Sequence, residues 1–290
     1  YTFRRDGSSV FGPDNRWGSF HSFAGSWRFS NEEFFKPLLS VINSGKIRFG
    51  WGQTGNSSIP SYKWGASMST MSTGLGTGYR QSNIANTKIH WEKQEQTNLG
   101  FDLSFFNSLF DLTIDLYNKK SSDMLMPQQL PSYMGTSGNG SSALAAPWGN
   151  YGKISNKGLE ITLNAHPIKT KDFTWDSEFE ISWNKNKLEA LKGSSSAAIL
   201  GYGMWTDVVS KSDVGQPLYQ FYGYVTDGVY KNYADIEASA KPVAHKGSNG
   251  YNHYNTVWVG DIKYKDLNND GIIDENDRTY IGNPMPKYTF

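Results

Sequence analysis

The residues best suited to chemistry form an acidic segment near the end of the chain. Oxygen-bearing groups stand at positions 1, 3, 5, 7, 9 and 12 of a twelve-residue stretch, with a glycine at position 6. This is the ligand order of an EF-hand loop, because a hard cation needs six or more oxygens folded around it. The sequence therefore predicts a structural Ca²⁺ site formed by Asp266, Asn268, Asp270, the Ile272 carbonyl, Asp274 and Asp277.

One departure from that pattern leaves an alternative open. Asp277 stands where a standard loop carries glutamate, whose extra methylene gives bidentate reach, and aspartate at this position resembles dockerin-type loops instead. The alternative is a turn rich in Asp and Asn, in which carboxylates and amides accept hydrogen bonds from nearby N–H groups without any ion. In either case we expect the segment to stiffen a loop and to perform no catalysis.

The other candidate catalytic groups have structural explanations. Five histidines are scattered without metal-ligand spacing, and residues 135–140 lack the lysine and the strand-to-helix context of a phosphate loop. Glu178 and Glu180 share one strand face about 7 Å apart, within the range of a glycosidase pair. That face is expected to be polar in any case, so the sequence predicts no catalytic residue and no enzyme activity.

Aromatic residues make up 15% of the chain, although only 37% of its residues are hydrophobic. Flat aromatic faces in long connections could stack on the C–H side of sugar rings. The candidate substrate-binding residues are Trp64, Trp148, Tyr202, Trp205, Tyr219 and Tyr222. The alternative is that these rings pack the loops together or lie at a membrane interface.

Composition excludes several classes of protein. The chain has 28 Lys and Arg against 27 Asp and Glu and no basic tract, which argues against a nucleic-acid partner. The absence of cysteine removes disulfide scaffolds, thiolate zinc sites and cysteine nucleophiles. No segment approaches the roughly 20 consecutive apolar residues of a transmembrane helix.

Alternation with a period of two residues is the main structural signal. Leu99, Phe101, Leu103 and Phe105 alternate with polar residues, and the pattern resumes from Phe110 to Tyr117 after a short turn. A second hairpin spans residues 159–184. Strands of about 9–11 residues with one apolar and one polar face are typical of an outer-membrane barrel. A secreted β-sandwich or β-helix is the alternative, and the choice depends on whether Phe101, Leu103, Leu112 and Ile114 face hydrocarbon tails or a second protein layer.

Long and short connections alternate along the chain, as they do in such barrels. The long ones are residues 6–16, 55–91, 119–156 and 188–286, and the shorter ones are 30–44, 107–108 and 168–171. Ser30 is predicted to open a short capped helix, and an ordinary surface turn is the alternative. We count six strands, a partial strand at residues 1–5 and another that begins at residues 287–290.

These features predict an all-β fold, a transmembrane antiparallel β-barrel. We interpret residues 1–290 as an internal to C-terminal portion of one plugged barrel of about 22 strands. Its extracellular loops would be residues 55–91, 119–156 and 188–286. The plug and the N-terminal domain would lie outside this chain.

Several sequence blocks then resemble a known family. The run RRDGSS at residues 4–9 is followed by RWG at 16–18 and SWR at 26–28, and GKIRFGWGQTGN spans residues 45–56. Further matching blocks lie at residues 91–102, 156–160, 221–230, 260–266 and 281–284. In this order the blocks resemble the SusC/RagA family of TonB-dependent outer-membrane transporters.

The resemblance implies a function and a set of partners. It implies active import of large nutrients, oligosaccharides or peptides, through the outer membrane of a Gram-negative bacterium. TonB would supply the energy through the plug, a SusD-like surface lipoprotein would act as a lid, and outer-membrane lipid would surround the barrel. A dimer of two SusC–SusD pairs follows by analogy.

Two other functions stay open at this point. A secreted, calcium-stabilised, β-rich glycan-binding module would use the same aromatic residues as a binding platform. A siderophore-type receptor would share the barrel architecture but bind a small chelate. The sequence blocks favour the nutrient importer.

Overall fold

The structure is a computed structural model that describes residues 1–128, 133, 144–191, 198–203, 207–242 and 257–290. These residues consist mostly of strands and divide into two compact units. The first unit comprises residues 1–197, 213–217 and 285–290, and the second comprises residues 198–212 and 218–284. No helix in the described part of the chain is both long enough and apolar enough to cross a membrane.

The first unit is built on one antiparallel sheet. Its strands, in chain order, are β1 (Thr2–Gly7), β2 (Trp17–Trp27), β3 (Ile42–Asn56), β4 (Met68–Thr73), β5 (Gly76–Gln81), β6 (Glu92–Phe105), β7 (Phe110–Pro127), β8 (Trp148–Lys169) and β9 (Thr174–Leu191). Seven of them pair in the order β1-β2-β3-β6-β7-β8-β9, while β4 and β5 form a separate hairpin. Sequential neighbours thus lie side by side, as in an up-and-down meander.

Strand register places the apolar residues in rows that cross the sheet. Phe101 pairs with Ile114, Ile114 with Ile161, and Ile161 with Ile181. Leu103, Leu112, Leu163 and Phe179 form the next row in the same way. Because side chains alternate between faces, all of these residues share one face of the sheet.

No second protein layer covers this apolar face in the described residues. Each strand of the sheet makes its main contacts with its neighbours in the sheet. Leu116, Phe179 and Trp183 on this face are exposed, and Phe101, Leu103, Leu112 and Ile114 are only half-buried. The apolar face is therefore open, as a lipid-facing surface requires and a sandwich does not.

Short and long connections occur on alternate rims. β6 and β7 are joined through Phe106, Asn107 and Ser108, which all have positive φ angles of 52°, 58° and 62°. Residues 170–173 join β8 and β9, and the Thr170 N–H donates to the Phe173 carbonyl at 2.8 Å. On the opposite rim, residues 8–16, 57–91 and 128–147 connect the strands.

The connection predicted at residues 119–156 is shorter in the structure, because both flanking strands extend into it. β7 continues to Pro127 and β8 begins at Trp148, so the strands pair well beyond the apolar alternation. The ladder needs only backbone groups, so it continues through Ser121, Met124 and Leu125 after the alternation of apolar and polar residues has ended.

The predicted capped helix at Ser30 was also wrong. Two 3₁₀ helices, Phe29–Asn31 and Glu33–Leu38, occupy this connection, and neither has a side-chain cap. Ser30 is buried inside the first of these turns, so its hydroxyl does not stand before a helix. Pro37 lies within the second turn and lacks the N–H that a longer helix would need.

The final residues, where a further strand is predicted, form a single β-bridge. The Ser182 N–H donates to the Thr289 carbonyl at 2.8 Å, and the Thr289 N–H donates to the Ser182 carbonyl at 2.9 Å. This bridge lies beside β9 at the edge of the sheet.

The buried core of the first unit lies at the rim with the long connections. Phe11, Phe20, Ile89 and Trp91 form it, and the rings of Phe11 and Phe20 lie 5.4 and 5.7 Å from the Trp91 ring. The Trp91 Nε1–H donates to the Arg16 carbonyl at 3.1 Å. These contacts fix the connections against one another.

The second unit folds most of the predicted 188–286 connection. Its elements are β10 (Ala198–Tyr202), β11 (Val208–Asp213), β12 (Gln220–Tyr224), β13 (Thr226–Val229), α1 (Tyr233–Ala238), β14 (Lys241–Pro242), β15 (Ile262–Tyr264), β16 (Ile272–Ile273) and β17 (Arg278–Gly282). β10, β11, β12 and β17 form a four-stranded sheet, while β13 pairs with β15 and β14 with β16. The described residues of this region therefore form a unit with its own strands and not an irregular loop.

Polar contacts hold the single α-helix described in this unit. The Asn232 side chain caps α1 by accepting the Asp235 N–H at 2.9 Å. Asp235 accepts the Lys231 N–H at 3.0 Å and the Lys263 ammonium at 3.1 Å. These two bonds hold the pKa of the Asp235 carboxyl below its usual value.

The open apolar face predicts the effect of one charge placed on it. Ile114→Lys in the whole protein should cost about 2–4 kcal/mol of unfolding free energy, since lysine in hydrocarbon is poorly solvated. Urea unfolding in lipid vesicles measures it.

Thr113→Lys is the matched control, because Thr113 is on the polar face opposite Asp102. It should leave the unfolding midpoint nearly unchanged. Equal losses in the two variants would mean that the two faces meet the same medium.

Candidate functional site

An ion-pair network lies on the polar face of the seven-stranded sheet. Arg48 donates from Nε and Nη2 to the two oxygens of Asp102, at 2.8 and 2.9 Å, and Nη2 also lies 3.0 Å from Asp115. The Lys46 ammonium is 3.4 Å from Asp102. The network therefore joins β3, β6 and β7 through charge-assisted bonds.

Gly100 makes this network possible. A Cβ at this position would lie 2.6 Å from the Arg48 guanidinium carbon and 2.7 Å from Asp115 Oδ1. Any larger residue would push the guanidinium off the two carboxylates. The glycine thus serves close approach of charged groups and not a turn.

An open groove of about 570 Å³ lies beside this network on the same face. Gly50 and Gly52 form part of its floor, and a Cβ added at Gly50 would meet no heavy atom within 4 Å. Gln96 and Asn98 line its side and are joined by a 2.9 Å hydrogen bond. Amides and a glycine floor suit a hydroxyl-rich or peptide ligand, because they offer both donors and acceptors.

The acidic segment of the second unit folds as a tight turn. Asp266 accepts the Asn269 N–H at 2.6 Å and the Gly271 N–H at 2.8 Å. Asn269 and Gly271 have positive φ angles of 61° and 82°, so the chain reverses sharply here. Asp270 accepts the Ile272 N–H at 2.9 Å. These are the bonds of the Asp- and Asn-rich turn.

The end of the segment is held by a buried carboxylate. Asp277 has no exposed surface and accepts N–H groups from Asp274 at 2.9 Å and Leu267 at 2.8 Å. These two bonds lower the pKa of the Asp277 carboxyl. Asp274 and Asp277 also form a capping box around the 3₁₀ helix Glu275–Asp277.

The calcium ion itself stays a prediction. Among the described residues, no three His, Cys, Asp or Glu side chains converge in an arrangement that would hold a metal. Asp266, Asn268, Asp270, Asp274 and Asp277 are close along the chain, but their oxygens point to backbone N–H groups and to neighbouring amides.

The predicted substrate-binding aromatics have different environments. Trp64 and Trp148 pack against the buried cluster at the rim, which is the loop-packing alternative. In the second unit, Tyr202 and Tyr219 are exposed, and Tyr222 packs edge-on against Tyr280 at 5.8 Å. Trp205 lies outside the described residues. Contact with a substrate stays a prediction for all six.

The structure adds an aromatic pocket that sequence reasoning missed. Tyr224 and Tyr264 line a cavity of about 430 Å³ in the second unit, with ring centroids 5.1 Å apart. The Arg278 guanidinium lies 5.1 Å from the Tyr224 centroid, and Asp207 and Glu275 add carboxylates. Tyr224 lies two residues after Tyr222, one of the predicted substrate-binding residues. Nothing in the sequence indicates that Tyr224 lies beside Tyr264.

The architecture by itself defines a class of protein. A single-layer antiparallel sheet has one open apolar face, a polar face with a groove, and connections that alternate in length between rims. These are the properties of the wall of a transmembrane β-barrel.

The chain belongs to the TonB-dependent receptor-like β-barrel family, whose model matches residues 2–289. Proteins of this family lie in the outer membrane of Gram-negative bacteria, and the chain is assigned to that membrane. The family is one of receptors and transporters and not of enzymes. The membership argues against a secreted glycan-binding module.

Individual relatives agree with the family. The chain is 32% identical to TonB-dependent receptor P3 of Formosa agariphila, covering 100% of the chain and 28% of that relative. It is 31% identical to TonB-dependent receptor SusC of Bacteroides thetaiotaomicron, covering 98% of the chain and 26% of SusC. The resemblance to the SusC/RagA family is confirmed.

A solved structure supports the fold. The RagAB peptide importer in its closed-closed state superimposes with a TM-score of 0.73 at 21% identity, covering 99% of the chain and 28% of that protein. The chain thus spans between 26% and 28% of the length of these relatives.

The Arg48 network predicts a stability effect. Arg48→Met should lower the unfolding free energy by about 1–2 kcal/mol, because Asp102 and Asp115 lose their bonded cation in a half-exposed site. Arg48→Lys should lower the unfolding free energy by less, because lysine keeps the positive charge although it cannot make the bidentate contact. Urea unfolding of the whole protein measures both.

Lys36→Met is the control for the Arg48 variants. Lys36 pairs with Glu33 at 2.6 Å on an exposed turn, where the cost should be below about 0.5 kcal/mol. A loss at Lys36 as large as that at Arg48 would contradict a special role for the network.

Calcium removal tests the acidic segment. If an ion binds, chelator should increase proteolysis within residues 258–284, and Asp274→Asn should abolish the calcium effect. Asparagine keeps an acceptor for the turn but removes a ligand charge. Glu275→Gln, at the non-ligand position 10, is the control. If the rate of proteolysis of the unsubstituted protein is the same with and without calcium, the ion-free turn is the correct interpretation.

Proposed function

We propose that the protein containing this chain imports large nutrients, oligosaccharides or peptides, across the outer membrane. TonB supplies the energy, and a SusD-like surface lipoprotein closes the entrance. Family membership supports the coarse role, and the names SusC and RagAB peptide importer among its relatives support the class of cargo.

The observation that carries the proposal is the open groove on the polar face. A barrel wall turns this face toward its interior, where a translocating ligand would pass. Gly50 and Gly52 leave the wall smooth, and the amides of Gln94, Gln96 and Asn98 offer exchangeable hydrogen bonds. Such a surface binds weakly at many points, which favours passage over retention.

The rim with the long connections supplies the entrance in this proposal. Hairpin β4–β5 lies in one of these connections and exposes Met68, Met71, Leu75 and Tyr79. Exposed apolar side chains on a rim suit contact with another protein. We assign the contact with the lipoprotein lid to this hairpin.

Narrowing the groove tests the function directly. Gly50→Phe should lower the rate of uptake of large oligosaccharides or peptides, because the new ring projects into open space on the polar face. Uptake of a defined glycan ladder and a peptide ladder by host cells, with and without a functional TonB, measures both substrate class and energy source.

Gly25→Phe is the matched control. Gly25 pairs with Phe49 on the apolar face, and a Cβ there also meets no atom within 4 Å. Both variants should reach the membrane at equal levels, and only Gly50→Phe should slow uptake. Unchanged uptake in Gly50→Phe would exclude the groove from the path, and uptake of both ladders without TonB would contradict active import.

A further inference from the structure

The apolar face of the sheet changes character abruptly toward the rim with the long connections. Its last apolar row across β6, β7, β8 and β9 consists of Leu99, Leu116, Leu159 and Trp183. The next row on the same face consists of Thr97, Asn118, Lys157 and Lys185, and the row after that of Glu95, Lys120, Ser155 and Lys187. Lysines thus border the hydrophobic band directly.

Two of these lysines face each other without compensation. Lys157 and Lys185 are paired across β8 and β9, where like charges destabilise a sheet. Among the described residues, neither has an ion-pair partner, and both are exposed. An anion from outside the chain would relieve this repulsion.

The neighbouring lysines have partial local partners. Lys187 bonds to Glu189 at 3.2 Å, and Lys120 faces Glu95 across the strand pair. The outward positions beyond the band include six lysines, Lys93, Lys120, Lys153, Lys157, Lys185 and Lys187, and two glutamates, Glu95 and Glu189. The surface as a whole is therefore basic.

The topology indicates at which side of the membrane this surface lies. Short turns mark the periplasmic rim of such barrels, and the lysines lie at the opposite end of the band. There the apolar band meets the headgroups of the outer leaflet, whose glycolipid carries phosphate groups on its sugar backbone. Ammonium groups next to a hydrocarbon boundary are well placed to bind such phosphates.

We propose that Lys120, Lys157, Lys185 and Lys187, the lysine patch, bind the phosphate groups of the outer-leaflet glycolipid, lipid A. The exposed side chains of Leu116 and Trp183 lie directly below the patch and contact its acyl chains. The phosphate groups and the acyl chains of the lipid are thereby bound by adjacent rows of one face. Free phosphate has no acyl chain and could contact only the lysine row.

A second copy of the chain is a poorer occupant. A two-fold contact through this face would bring each lysine patch near its own copy. The repulsion already present between Lys157 and Lys185 would increase, whereas a phosphate decreases it. Charge complementarity therefore selects the lipid.

Lipid binding can be measured on the whole protein in detergent by native mass spectrometry. Diphosphorylated lipid A should bind more tightly than its monophosphorylated form, and inorganic phosphate alone should neither bind stably nor compete. The double variant Lys157→Gln/Lys185→Gln should bind diphosphorylated lipid A about 25-fold more weakly, at about fivefold for each lysine. Lys169→Gln/Lys171→Gln, at the short-turn end of the same strand pair, should leave the affinity unchanged.

Lys157→Glu separates binding from folding. It places a carboxylate opposite Lys185, so the sheet should be at least as stable in lipid-free detergent while lipid A binding is lost. Full binding by the double variant, an equal loss in the Lys169/Lys171 control, or competition by inorganic phosphate would overturn the proposal. So would a change in oligomeric state with unchanged lipid binding. Nutrient uptake is a separate measurement, so either proposal can fail alone.

Discussion

Backbone hydrogen bonding without water is the constraint on which the first unit depends. In hydrocarbon an unpaired N–H or C=O group has no solvent partner, so a spanning strand must be paired on both sides. The inner strands β2, β3, β6, β7 and β8 of the seven-stranded sheet meet this condition, because each pairs with a neighbour on both sides. Once the backbone is paired, only the side chains distinguish the two faces. Because side chains alternate along each strand, one set faces the lipid and the other faces the barrel interior.

Register becomes the sensitive quantity in such a sheet. A slip by one residue would bring Asp102 and Asp115 to the lipid and Phe101 and Ile114 to the interior. The turn at residues 106–108 resists a slip through three successive residues of positive φ, a geometry that few other sequences adopt. Across β3, β6 and β7, Arg48 adds a second restraint, because its fork reaches two carboxylates only in this register.

The sequence could reveal the spanning strands because their environment has a simple period. β6 to β9 were predictable from alternating residues such as Leu99 and Phe101, whose partners are near in sequence. The second unit has no such signal. Its β12 pairs Phe221 with Gly282, far along the chain, and its strands are too short to show a period. The pocket at Tyr224 and Tyr264 is therefore visible only after folding.

The predicted substrate aromatics show why residue type alone does not assign a role at the rim. A tryptophan in a loop can stack on a ligand or pack a core, and composition is the same in both cases. Trp148 packs against the buried cluster because β7 and β8 continue past the apolar band and end beside it, where Leu125 also packs. Trp64 packs against the same cluster from the connection between β3 and β4. These two rings are thereby partly buried. Exposed rings such as Tyr202 and Tyr219 are left available for a ligand, because no buried cluster of the described residues includes them.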